Sequence, residues 1–333
     1  MNEQESKQFI DKLVTKYQTI TKGSHFVKRE YLSGWSPDGE KIYTSIDKKQ
    51  YRFCGLKNVC VETYMYKLET LTEFELKQIR YFYKDSPKAV KEANDNFLLG
   101  WQVFCLVSDK IDSPEIKELV RKMRIQAGEN IQTNFESGFI KEVRDDLLNC
   151  SEDFLSNDDY LLSFSFFLFS QFLRTQKQRD RMVTSFENDK KTQLPKNIFD
   201  PVRVWNPLIT VMTNMAAFQM LCKENLHIKF IKSNKRLIKT GDQPILNIAD
   251  NVDKDYVRFY YPINSSLAIV FPVNKSEISI DDENVIDAFN LLIEKESNRF
   301  VFKYQPLKWL YLFSRLKTRK RGQKVAEHKN VCD

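Results

Sequence analysis

Glycine and proline are scarce in this chain of 333 residues, at 9 and 10 respectively. That scarcity argues against a low-complexity or disordered polypeptide. Histidine is scarcer, confined to His25, His227 and His328, so a zinc site would have to draw on cysteine or carboxylate ligands. The six cysteines (Cys54, Cys60, Cys105, Cys150, Cys222 and Cys332) include no pair at two-residue spacing, which removes zinc knuckles and dithiol redox motifs. The first twenty residues have no signal-peptide apolar stretch, and scattered thiols without one point to a reducing, cytoplasmic setting. A membrane-spanning helix needs ~20 apolar residues. The most apolar run, Tyr160 to Phe169, meets Gln171 and Arg174 within about a turn. It reads as the buried central helix of the core. Gly-rich phosphate loops, nucleophile elbows and dinucleotide fingerprints are also missing, which sets aside P-loop ATPases, serine hydrolases and dehydrogenases.

What remains is an ordinary globular composition, 42% hydrophobic and 29% charged, with 25 Phe and 14 Tyr to build a ring-rich core. The net charge of +7 comes from 52 basic against 45 acidic residues. This mild bias permits nucleic acid or another anionic partner. Arg315, Lys317, Arg319, Lys320, Arg321 and Lys324 crowd the end of the chain, where a solvated terminus and a phosphate-backbone contact are the two readings.

Periodicity divides the chain into blocks. Residues 3–20 recur at helical spacing. Pro37-Asp38-Gly39 marks a turn, and the alternating run from Lys41 to Ile46 reads as a strand that residues 51–60 pair with. Helices are expected over 88–108, 115–126, 129–149 and 158–190, with Thr70 and Thr72 as caps for one after Tyr66 and Asn206-Pro207 opening one that runs through Cys222. Strands are expected at 227–231, 236–239, 256–261 and 266–271, then a helix from about Ile280 to Asn298 and a closing strand at Phe300-Val301-Phe302. Strands segregated from helices make this α+β. The expected architecture is one domain over 1–310, with a basic tail over 311–333. A small β unit (about 25–62) and a second β unit with its helix (about 226–303) flank a helical region (about 66–222). Neither β unit can bury a core alone, so the two are expected to join in one sheet.

Three segments set polar, chemically capable groups beside packing residues: Ser24 to Leu32, Gln171 to Thr175 with Arg179, and Thr240 to Asn247. Gln171 and Arg174 share a helix face. A guanidinium leaving an aromatic helix needs a partner, which gives two readings: a salt bridge to Glu69, Glu73 or Asp242, or a fork that grips a phosphate or carboxylate. His25 is either structural or the acid–base group, and Asp242 either initiates a turn or sits in a site. His227 reads as structural. A metal-dependent nuclease would need clustered carboxylates, for which Glu62, Glu69, Glu73 and Asp242 are the available set.

The same segments, in order, resemble a bacterial family known as domain of unknown function 4238. The resemblance runs over most of the chain: His25-Phe26-Val27-Lys28 then Tyr31-Leu32; Asp38-Gly39-Glu40-Lys41-Ile42-Tyr43; Leu68-Glu69; Gln171, Arg174, Thr175 and Arg179; Gly241-Asp242-Gln243-Pro244; and Tyr261-Pro262-Ile263-Asn264. Lys28 stands where the family prefers proline and Gly241 where it prefers serine. The resemblance implies a shared fold and site but no activity.

Together these observations lead to the expectation of a bacterial cytoplasmic phosphodiesterase-like effector, a nuclease acting on nucleic acid in defence or as a toxin. His25 would be the acid–base group, Arg174 and Arg179 the anion clamps, Gln171 the positioner and Asp242 the orienter or metal ligand. A divalent metal, a protein partner and a homo-oligomer stay open. The competing reading is a binding module for nucleic acid or protein, without turnover.

Overall fold

The computed structural model describes residues 22–188, 194–249, 257–274 and 283–306, with scattered positions before 22. The expected opening helix lies largely outside the described residues, and the basic tail lies wholly outside them. In chain order come β1 (Gly23–His25), α1 (Arg29–Leu32), β2 (Lys41–Ile46), β3 (Tyr51–Gly55) and β4 (Val61–Thr63). The helical middle follows: α2 (Glu73–Phe82), α3 (Lys88–Asp109), α4 (Pro114–Glu142), α5 (Arg144–Leu148), α6 (Asp158–Leu173), α7 (Gln176–Asn188) and α8 (Pro201–Leu221). Last come β5 (His227–Lys232), β6 (Thr240–Gly241), β7 (Leu246–Asn247), β8 (Phe259–Asn264), β9 (Leu267–Val273), α9 (Glu283–Glu296) and β10 (Phe300–Lys303). The α+β class therefore holds, with small antiparallel sheets around a large helical region.

Local chemistry explains many of the boundaries. Thr72 and Glu75 form a capping box at the start of α2: Glu75 N–H donates to Thr72 Oγ1 at 3.2 Å, and Thr72 N–H donates to the Glu75 carboxylate at 2.8 Å. Asp38 closes the expected turn by accepting from the Glu40 and Lys41 N–H groups, with Gly39 at φ +75°. Asn157 caps α6. That helix is apolar on every side because it is the buried centre, as its composition implied. Leu161, Phe164 and Leu168 pack there against Phe271 and Ile269 of β9.

The expectation of one sheet is corrected. β2 and β3 do join the late strands, in the order β3-β2-β10-β6, so the two ends of the described chain meet. A second sheet, β5-β9-β8-β7, stands apart. It is buried on both faces. Phe259, Tyr261, Ile269 and Phe271 face the α6 side, whereas Tyr260, Ala268 and Val270 pack with Ile286 and Ile293 of α9. A sheet with apolar cover on each side has no need to extend the other one.

The helix boundaries also moved. Residues 115–126 and 129–149 are not two helices, because α4 runs unbroken through Gly128. A Cβ at Gly128 would lie 1.7 Å from the Tyr66 carbonyl oxygen, so this glycine marks a close crossing and not a break. The 158–190 segment splits at Arg174 into α6 and α7. The Asp200-Pro201 pair starts α8, with Asp200 accepting from Val202 N–H at 2.9 Å, and Pro207 lies inside that helix. Residues 236–239 are not a strand. Arg236 has φ +56°, and Asn290 holds both the Lys239 N–H and the Leu237 carbonyl.

Gly241 has a packing explanation. A Cβ there would lie 1.8 Å from Ser297 Oγ and 3.0 Å from the Phe300 carbonyl. Serine at 241 is therefore expected to cost roughly 1–3 kcal/mol as overpacking. Denaturant melts of Gly241→Ser, alone and combined with Ser297→Gly, check this: the second change should recover part of the loss.

Candidate functional site

The three polar segments do fold together, but what they share is an interior hydrogen-bond network. The Phe26 carbonyl accepts from Gln171 Nε2 and from Arg174 Nε, each at 3.1 Å. The Tyr31 hydroxyl lies 2.7 Å from Thr240 Oγ1 and donates to the Pro262 carbonyl at 2.9 Å. Thr175 donates to Gln243, whose amide reaches the Ile245 carbonyl at 2.8 Å.

This arrangement corrects several site expectations. Arg174 is fully buried, at 0% exposure. Its Nη1 donates to Glu136, its Nη2 to Gln171 and its Nε to Phe26, so each nitrogen is engaged by protein. The partner is Glu136, not Glu69, Glu73 or Asp242. Gln171, 2% exposed, is consumed in the same knot. Asp242 accepts from Asn298, Arg299 and Phe300 N–H groups at 2.8, 2.6 and 3.0 Å, closing the turn between α9 and β10. Burial pushes its carboxyl above the ordinary range against the pull of those bonds. Arg179 donates to Glu62 at 2.6 Å, beside a 3.0 Å bond from Gln176 to the same carboxylate. An anion clamp of Arg174 and Arg179 is therefore not assembled: one guanidinium is sealed and the other is ion-paired. His227 pairs with Glu152 at 3.0 Å, in keeping with a structural role.

Of the expected set, His25 lines a cleft. This hollow of about 620 Å³ lies between the β1–α1 connector and the middle of α4. His25, Lys28 and Arg29 form one wall, with Glu129, Thr133 and Glu136 opposite. The His25 Nδ1 is buried with no hydrogen-bond partner. Burial first, then the Arg29 and Lys28 charges, hold its imidazole below the ordinary pKa, against a bond to the Val59 carbonyl. The shift favours the neutral form of the ring. Glu129 moves the other way: burial raises its carboxyl, opposed by the Ser24 hydroxyl that donates to it and by Lys28 and Arg174. A depressed imidazole and an elevated carboxyl on one cleft are the environments a proton acceptor and a proton donor require. Glu136 divides its charge between Arg174 behind the wall and Lys28 at 3.0 Å.

Glu129 and Glu136 were missed from the sequence. The available signal was spacing, since Gln126, Glu129, Thr133 and Glu136 recur every three or four residues along one face of α4. Nothing in that stripe distinguishes it from a solvated face until the connector is packed over it.

Among the described residues no group of three or more His, Cys, Asp or Glu side chains gathers to hold a metal. The carboxylates considered for that purpose are dispersed: Glu62 pairs with Arg179, Glu69 with Lys67 at 3.3 Å, and Asp242 with backbone. No helix among the described residues is long and apolar enough to cross a membrane. No family model, curated protein or solved structure matches the chain, so the functional reading rests on the geometry of this cleft.

Proposed function

We propose that the protein binds nucleic acid in the cleft beside α4 and cleaves a phosphodiester there, with His25 as proton acceptor and Glu129 as proton donor. The observation that carries this reading is the His25 imidazole, its Nδ1 without a hydrogen-bond partner, lining an open hollow together with Lys28 and Arg29. Lys28 and Arg29 attract the phosphate. His25 takes a proton from the attacking hydroxyl, and Glu129 returns one to the leaving oxygen.

The experiment is cleavage of end-labelled RNA and single-stranded DNA, with and without divalent metal, by the protein and by His25→Ala. Loss of the imidazole should lower the rate by roughly 10²–10⁴ while leaving the melting temperature and retention on nucleic acid unchanged. An unaltered rate removes His25 from the chemistry. The pH profile follows from the two shifts. His25 acts once deprotonated, above a pKa that lies below its ordinary 6.5. Glu129 acts while protonated, below a pKa that lies above its ordinary 4.5. Activity should therefore fall on the acid side as His25 is protonated and on the alkaline side as Glu129 ionises, and a profile still rising through pH 8 contradicts the assignment.

One observation favours a second reading, a binding module without turnover: Gln171, Arg174 and Asp242 are all committed to the interior. It predicts salt-dependent retention on nucleic acid and no cleavage under any metal condition.

A further inference from the structure

A second hollow, of about 190 Å³, lies on the other side of the Lys28–Glu136 bridge and differs in character from the polar cleft. Its wall is aromatic: Tyr31, Phe139, Phe167 and Tyr261. The rings are already ordered against one another. Tyr31 stacks on Tyr261 with centroids 5.6 Å apart, Phe167 meets Tyr261 at 5.8 Å, and Phe139 stacks on Phe167 at 3.8 Å. Such a wall presents flat apolar faces whose geometry is set before any ligand arrives.

Two polar groups in this pocket are unused. Tyr261 lines the pocket, and its hydroxyl enters none of the hydrogen bonds among the described residues, whereas the neighbouring Tyr31 hydroxyl is satisfied by Thr240 and Pro262. Burial keeps this phenol neutral and able to donate, and the Arg144 charge acts on it. Arg144 opens α5 at the pocket mouth and is exposed, and it forms no ion pair among the described residues. Glu136 in the wall is already met by Arg174 and Lys28, and the remaining carboxylate, Glu30, is exposed at the rim.

We infer that this pocket binds a small molecule made of a single planar ring that bears a carboxylate or phosphate. The ring lies against Tyr261 and Phe167, a polar atom on it accepts from the Tyr261 hydroxyl, and its anionic group meets Arg144. The volume suits one ring with a short substituent, since an engineered apolar cavity of roughly 150 Å³ takes up benzene. A free aromatic acid and a nucleotide both carry this chemistry.

The test is calorimetric titration of the full chain with phenylacetate, phenyl phosphate, uridine monophosphate and the uncharged comparator benzyl alcohol. At least one of the three anions should bind one to one. Phenylacetate binding indicates a free aromatic acid as the source, and binding of the nucleotide alone indicates a nucleotide; either outcome supports the site. Arg144→Ala should weaken the anion about tenfold and leave benzyl alcohol unchanged. Tyr261→Phe should weaken binding severalfold at an unchanged melting temperature, because the hydroxyl it removes bonds to nothing in the described protein. His25→Ala should have no effect, which separates this site from the polar cleft. Failure of every anion to bind at roughly 10 mM, equal affinity in Arg144→Ala, or loss of binding in His25→Ala would each overturn the inference.

Discussion

Arg174→Ala is expected to lower the unfolding free energy by about 3–5 kcal/mol, the cost of breaking a buried ion pair from one side. The guanidinium is fully buried, and its removal leaves Glu136, whose side chain is only 7% exposed, with the partly exposed Lys28 as its one remaining ion-pair partner among the described residues. It also takes away the donor to the Gln171 carboxamide oxygen and one of the two side-chain donors on the Phe26 carbonyl. Domains are stable by about 5–15 kcal/mol, so this one truncation removes a large share. Urea unfolding followed by circular dichroism measures it. The control is the pair Arg174→Met with Glu136→Met, which replaces both charges by apolar groups of similar length and should recover most of the loss. Lys28, a third exposed, then keeps its charge in water. A single variant as stable as the parent would return Arg174 to the list of ligand-binding candidates.

Glu75→Ala is expected to be comparably damaging, at about 3–5 kcal/mol. This carboxylate is 0% exposed and serves four donors on three residues at the starts of two helices. It closes the capping box with Thr72 N–H at 2.8 Å and accepts Asp200 N–H at 2.8 Å. It also takes two guanidinium nitrogens of Arg203, at 3.0 and 2.7 Å. The starts of α2 and α8 are therefore tied to one side chain. Truncation leaves Arg203, with 19% side-chain exposure, and two backbone donors unpaired in a largely dry site. Glu75→Gln should cost less, because the amide oxygen still accepts while the charge is lost. Hydrogen exchange locates the effect: protection should fall first at residues 72–76 and 200–204. A loss spread evenly over the molecule would contradict the tie.

These two carboxylates show how far letters alone reach. Thr72-x-x-Glu75 is a local signal, and a capping helix start follows from it without any knowledge of the rest. That Glu75 also holds Arg203, more than a hundred residues on, has no such signal. Arg174 is similar. Its need for a partner followed from its place beside an aromatic helix, but the partner named from the sequence was wrong, because Glu136 sits in a helix whose polar stripe resembles a solvated face. The Pro37-Asp38-Gly39 turn, the central apolar helix and the closing strand were legible, since each depends on neighbours within a few residues. The sheet split, the unbroken α4 and the fate of residues 236–239 were not, since each depends on what packs against the segment.

The linear order of residues carried the class of the protein and the conclusion that the three polar segments matter, because period, caps and turn residues act over one or two turns of chain. Whether those polar groups face inward or outward was set by packing. Folding placed Gln171, Arg174 and Asp242 where water is excluded and every charge must be answered by protein, while it left His25, Glu129 and the Tyr261 hydroxyl along two hollows with bonds still to make. Burial decides between those fates, and it is a property of all the elements assembled together.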